Sequence, residues 1–97
     1  MVKKVVFSAE ANENLKNTIE YLVENWSIKY AQKFIMTLDK KIKSIKLFPY
    51  SYPQIPQKEI HKCVVTKQIS LYYRIKQDCL EIVTVFDSRQ DEKKLEL

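Results

Sequence analysis

An α+β domain with the element order β-α-α-β-β-β follows from three features of this 97-residue sequence. Apolar residues recur at helical spacing twice between residues 11 and 45. Three β-patterned runs, separated by short breaks, occupy the last third. Between these halves stand Pro49, Pro53 and Pro56, too close together for any helix to pass through them. The expected architecture is a helical hairpin packed on one face of a mainly antiparallel four-stranded sheet, with residues 1–97 forming one domain.

Residues 2–7 are rich in valine and read as a strand. Ser8 stands where a helix cap belongs, and Glu10 falls in the first turn, where a carboxylate suits the helix dipole. Ala11, Leu15, Ile19, Leu22, Val23 and Trp26 form one apolar stripe of period 3.6. Asn25-Trp26-Ser27 interrupts it, and Ser27 is placed to cap a second helix carrying Ala31, Phe34, Ile35, Leu38, Ile42 and Ile45. So short a connection makes the two helices an antiparallel hairpin. Residues 48–56 take an extended or turning path, and their aromatics are expected to pin it to the domain edge. Strands are expected at 60–66, 69–76 and 80–87, joined as a meander, and a helical turn at 92–95. Glycine is absent, so left-handed turns fall to residues that enter that region only at a cost.

The middle strand of the meander alternates. Ile69, Leu71, Tyr73 and Ile75 share one face, and Ser70, Tyr72, Arg74 and Lys76 share the other. The apolar face belongs under the hairpin. The last strand is apolar on both faces, as an interior strand is, so the first strand belongs beside it. The face away from the helices then offers Tyr72, Arg74 and Lys62, with Arg89 just past the end of the neighbouring strand. Such a face suits RNA, with cations on phosphates and a ring stacked on a base; it equally suits any half-solvated strand. Arg89 is one of two arginines among 17 basic residues. Arginine is favoured for bidentate recognition of phosphate or carboxylate, and an ion pair with Asp87 or Asp91 accounts for it as well.

The net charge of +5 permits nucleic-acid, ribosome or acidic-protein partners. It is unevenly spread. Residues 9–26 carry Glu10, Glu13, Glu20 and Glu24 against Lys16, whereas residues 27–47 carry six lysines against Asp39. Two helices so charged attract at long range, each surface pair contributing under about 1 kcal/mol. No run approaches the roughly 20 apolar residues of a membrane span, and Val5-Val6-Phe7 is too short for the core of a signal peptide. A cytoplasmic protein with Cys63 and Cys79 reduced is expected. Two cysteines and one histidine, His61, at no metal-ligand spacing argue against a metal site, and no cofactor is expected.

Phe7-Ser8-Ala9-Glu10-Ala11, Ile19-Glu20-Tyr21-Leu22, Phe48-Pro49, Ser70-Leu71-Tyr72-Tyr73-Arg74-Ile75 and Asp87-Ser88-Arg89, taken in order, resemble the RelE/ParE toxin superfamily, and the likeness covers nearly the whole chain. Phe7-Ser8-Ala9-Glu10-Ala11 is similar to the passage from first strand to first helix. Ile19-Glu20-Tyr21-Leu22, Trp26-Ser27 and Ala31-Gln32-Lys33-Phe34 are similar to the helical hairpin, and Phe48-Pro49 to the proline that follows it. Ser70-Leu71-Tyr72-Tyr73-Arg74-Ile75 resembles the family's "YRI" strand. Ile82-Val83-Thr84-Val85-Phe86-Asp87-Ser88-Arg89-Gln90-Asp91 resembles its closing strand and terminal arginine.

The resemblance implies the growth-inhibiting toxin of a type II toxin-antitoxin system, of the kind that serves in plasmid stabilization. A cognate antitoxin would wrap and neutralise it; a toxin dimer or a hetero-oligomer with the antitoxin both stay open. RelE-like members are metal-independent endoribonucleases that cut mRNA in the ribosomal A site. ParE-like members poison DNA gyrase without enzymatic chemistry. In a nuclease, the catalytic candidates are Arg89, Arg74, Lys62 and His61; the binding candidates in either case are Tyr72, Arg74 and Arg89. The RelE pattern is broken, however. Ile69 or Ser70 stands where an arginine belongs, Leu95 falls near the place of the C-terminal tyrosine, and no Tyr or His follows Tyr73. These departures favour the ParE-like reading over the nuclease, with an inactive relic that binds only its antitoxin as a third reading.

Overall fold

The computed structural model describes residues 2–89, 95 and 97. Its elements are β1 (Lys4–Phe7), α1 (Ala9–Asn25), α2 (Ile28–Leu47), β2 (His61–Val64), β3 (Ile69–Lys76) and β4 (Cys79–Asp87). The strands form one sheet in the order β1-β4-β3-β2. β1 runs parallel to β4, and the β4-β3 and β3-β2 pairs are antiparallel. The expected architecture is therefore observed, including the first strand beside the last. The expected turn at 92–95 falls on residues 92–94, outside the described residues.

Both serines act as the helix caps that their positions predict. Ser8 Oγ accepts the Ala11 N–H at 2.9 Å and donates to the Val83 carbonyl at 2.7 Å, so one hydroxyl starts α1 and ties it to β4. Ser27 Oγ accepts the Tyr30 N–H at 3.0 Å. The pairing of β1 with β4 ends at Phe7 and Ile82, which leaves the rest of that β4 edge without a strand. Asn14 of α1 covers it: Oδ1 accepts the Val85 N–H at 3.2 Å and the Thr84 hydroxyl at 2.6 Å. An uncovered edge is a template for pairing with another chain.

The core lies between the hairpin and the sheet. Leu22, Phe34 and Ile45 from the helices pack with Leu71, Tyr73, Leu80 and Ile82 from the strands. The alternation of β3 survives a bulge between Tyr72 and Tyr73, where β4 contributes Val83 as an extra residue. β2 is shorter than the expected 60–66. The Val65 and Thr66 N–H groups both turn to the Ile69 carbonyl, and the Ile60 carbonyl accepts from Ile55. The opposite sheet face is not open as the sequence suggested. Ile60, Tyr72 and Phe86 form a second buried cluster there, packed against Ile55, Leu95 and Leu97. Cys63 and Cys79 are free thiols, and burial pushes the Cys63 thiol up in pKa. No helix among the described residues is long and apolar enough to cross a membrane.

Without glycine, left-handed backbone among the described residues falls to Gln57 (φ 64°) and Gln77 (φ 59°). Gln77 lies in the β3-β4 turn, where its Cβ costs on the order of 1 kcal/mol. Gln77→Gly is expected to raise the thermal midpoint by about 3–6 °C, and a calorimetric scan checks it. An unchanged or lower midpoint would mean that this turn carries no such cost.

Candidate functional site

The site forms where β4 ends beneath the tip of the helical hairpin. The Asp87 backbone belongs to the sheet opposite Ile69, and the Ser88 N–H holds the exit turn by donating to the Gln68 carbonyl at 2.7 Å. This geometry aims the Asp87 carboxylate back at Arg89. Oδ1 accepts the Arg89 backbone N–H and Nε, both at 2.9 Å, while Oδ2 accepts Nη2 at 2.5 Å. The guanidinium carbon lies 5.0 Å from the centroid of the Tyr21 ring on α1, a cation-π placement. Trp26 and Tyr30 stack nearby with centroids 5.3 Å apart.

Two hollows meet at Arg89. One of about 440 Å³ is lined by Asn17, Thr18, Tyr21, Asp87 and Arg89. A narrower one of about 130 Å³ has Leu22, Trp26, Tyr30 and Phe34 on its helical wall. The result is a clamped cation with an aromatic wall, suited to holding an anionic or aromatic group of a partner. Tyr21, Trp26 and Tyr30 were not expected from the sequence as neighbours of Arg89. Trp26 ends α1 and Tyr30 begins α2, so their stacking across the turn carries no signal in the period of either helix.

Burial opposes the charge on Asp87, and hydrogen bonds from the Arg89 guanidinium and backbone N–H outweigh it, holding the carboxyl below its usual range. Hydrogen bonding to Asp87 raises the Arg89 pKa in turn, against a smaller effect of burial. Because the folded value is depressed, this group's stabilisation is present above the unfolded carboxyl value and is lost as pH falls through the folded one. Asp87→Asn is therefore expected to lose less stability than the parent protein between about pH 5 and pH 2. Urea midpoints across that range check it, and equal losses would contradict the coupling.

The candidate residues are not brought together. Arg89 turns to the helical side of the sheet, not to the face bearing Arg74. Arg74 pairs instead with Glu81 across the β3-β4 ladder, Nε to Oε1 at 2.5 Å. Along β4, Glu81 precedes Asp87 by six residues, roughly 20 Å of strand. Lys62 is exposed on β2 opposite Tyr72. Tyr72 is only 6% exposed, under the second cluster, so it is no open stacking platform. His61 is also buried, on the core side opposite Tyr73. Its Nδ1 lies 2.9 Å from the Tyr52 carbonyl, and its ring stacks on Tyr73 at 5.1 Å. Among the described residues no cluster of three or more His, Cys, Asp or Glu side chains is placed to hold a metal.

Residues 5–92 match the profile of the family described as ParE toxin of type II toxin-antitoxin system, parDE. The chain belongs to the ParE toxin family. It is therefore the toxin of a type II toxin-antitoxin system. Solved structures share the fold at low identity. A chain of the chromosomal ParDE system of P. aeruginosa superposes with a TM-score of 0.71 at 13% identity, over 90% of this chain and 96% of that one. A YoeB/ParE toxin from Agrobacterium tumefaciens gives 0.63 at 12% identity, over 88% and 98%. A chain of the YoeB-YefM complex from Staphylococcus aureus gives 0.61 at 15% identity, over 89% and 95%. No curated protein sequence matches the toxin.

Proposed function

We propose that this toxin inhibits growth by a stoichiometric contact with a protein target, DNA gyrase, and that a cognate antitoxin neutralises it. The observation that carries the reading is the dispersal of the nuclease candidates. Metal-free cleavage of RNA needs a proton acceptor and a cation converging within about 3 Å of the reacting atoms. Here Arg89 is committed to Asp87 at one end of the sheet and Arg74 to Glu81 further along it. His61 faces the core and Lys62 the opposite side. A protein target agrees instead with the aromatic wall around Arg89, since clamped arginines and partly exposed Tyr and Trp are the residues that anchor protein contacts. The toxin-antitoxin complex among the similar folds supports an antitoxin partner.

Induced expression without antitoxin, with toeprinting of the translated mRNA, tests this. Growth arrest with uncut A-site codons is expected. A-site cuts that vanish in Arg89→Ala would replace the reading with a ribosome-dependent endoribonuclease. Unimpaired growth would leave a relic whose partner is the antitoxin alone.

A further inference from the structure

The helical hairpin carries two charged rows that complement each other but do not meet within the chain. On α1, Glu10, Glu13, Glu20 and Glu24, with Asn17 among them, recur at steps of three and four and are all exposed. At 100° per residue this row lies away from the buried Ala11, Thr18 and Leu22. On α2, Lys29, Lys33, Met36, Lys40, Lys43 and Leu47 recur in the same rhythm, opposite the buried Ala31, Phe34, Leu38 and Ile45. One helix thus presents an acidic outer row and its antiparallel neighbour a basic one. Within the hairpin the attraction is not realised. Among the described residues, the ion pair on these helices is Lys43–Asp39, both on α2.

Apolar side chains accompany the rows. Met36 and Leu47 lie within the basic row and are 62% and 56% exposed. Val23 precedes Glu24, Ile28 precedes Lys29 and Ile35 precedes Met36, and all three are exposed. Exposed apolar groups rimmed by charge mark a contact surface. A foreign acidic partner would account for the lysines alone, and a basic one for the glutamates alone. A second copy of this chain accounts for both.

We propose that two copies of the toxin dock hairpin against hairpin about a twofold axis running between α1 and α2. That operation sets the acidic row of each copy antiparallel on the basic row of the other, so the surface is self-complementary, as an isologous interface must be. Helices of 17 and 20 residues are about 26 and 30 Å long and pack roughly 10 Å apart. Their outer faces give roughly 1,000–1,200 Å² of total buried area, at the lower bound for a specific contact. The surface meets the Arg89 hollow at Asn17 and does not depend on which target the toxin binds.

Sedimentation of the full chain, with two charge-reversed variants, tests the proposal. At about 50 mM salt a monomer-dimer equilibrium in the micromolar range is expected, moving to monomer near 0.5 M salt. Glu13→Lys/Glu20→Lys cancels the charge of the acidic row, and Lys33→Glu/Lys40→Glu cancels that of the basic row. Each variant alone should lose at least about 30-fold in self-association, while circular dichroism shows the fold retained. Mixing the two should restore a heterodimer, because each then supplies the row the other lacks. A parent chain that stays monomeric at roughly 0.2 mM and low salt overturns the proposal. So does a dimer that both variants preserve, or a mixture that fails to pair.

Discussion

Tyr73→Ala is expected to lower the unfolding free energy by about 4 kcal/mol, and Tyr73→Phe by about 1 kcal/mol. Tyr73 is fully buried and joins three parts of the fold. Its hydroxyl donates to the Pro49 carbonyl at 2.8 Å, its face stacks on His61, and Tyr52 meets it edge-on at 6.4 Å. Tyr52 in turn hydrogen-bonds Ser44 of α2 at 3.0 Å. Burial, reinforced by Cys63 and Tyr52, pushes the phenol well above its ordinary pKa, so it remains a donor across the working pH range. The alanine leaves a cavity and frees the proline-rich segment from β3; the phenylalanine removes only the partner of one carbonyl. Urea denaturation separates the two. An alanine variant with the parental midpoint would contradict this account of the core.

Asn14→Leu should cost about 2 kcal/mol and promote aggregation. The leucine fits an amphipathic helix but leaves the Val85 N–H and the Thr84 hydroxyl without the oxygen that satisfies them. The expected readout is a lower urea midpoint together with loss of soluble protein on warming. Asn14→Asp, which keeps the acceptor, should recover most of both. Equal behaviour of Leu and Asp would remove the edge-covering role.

Much of the fold was legible because its elements are locally encoded. Ser8 and Ser27 stand at the starts of apolar stripes, and the alternation of residues 69–76 assigns both faces of β3 through a bulge that it does not announce. The same alternation separates His61 from Lys62, since adjacent strand residues point to opposite faces. What lay beyond the pattern depends on tertiary contacts. Arg89 follows the end of β4, where period-two reasoning no longer applies, and its direction is decided by the Asp87 carboxylate and the Tyr21 ring. Tyr72 looked exposed because the leucines against it come from the tail, more than twenty residues away. Asn14 carries no periodic signal, because its role arises where β1 stops pairing.

The site is thus a clamped arginine beside an aromatic wall, and the dispersal of the remaining candidates turns the reading from RNA chemistry to protein contact. Supercoiling of relaxed plasmid by purified gyrase tests that reading most directly. Added at micromolar concentration without antitoxin, the toxin is predicted to inhibit supercoiling, and Arg89→Ala to weaken the inhibition about 10-fold or more. Full supercoiling at every toxin concentration would contradict it.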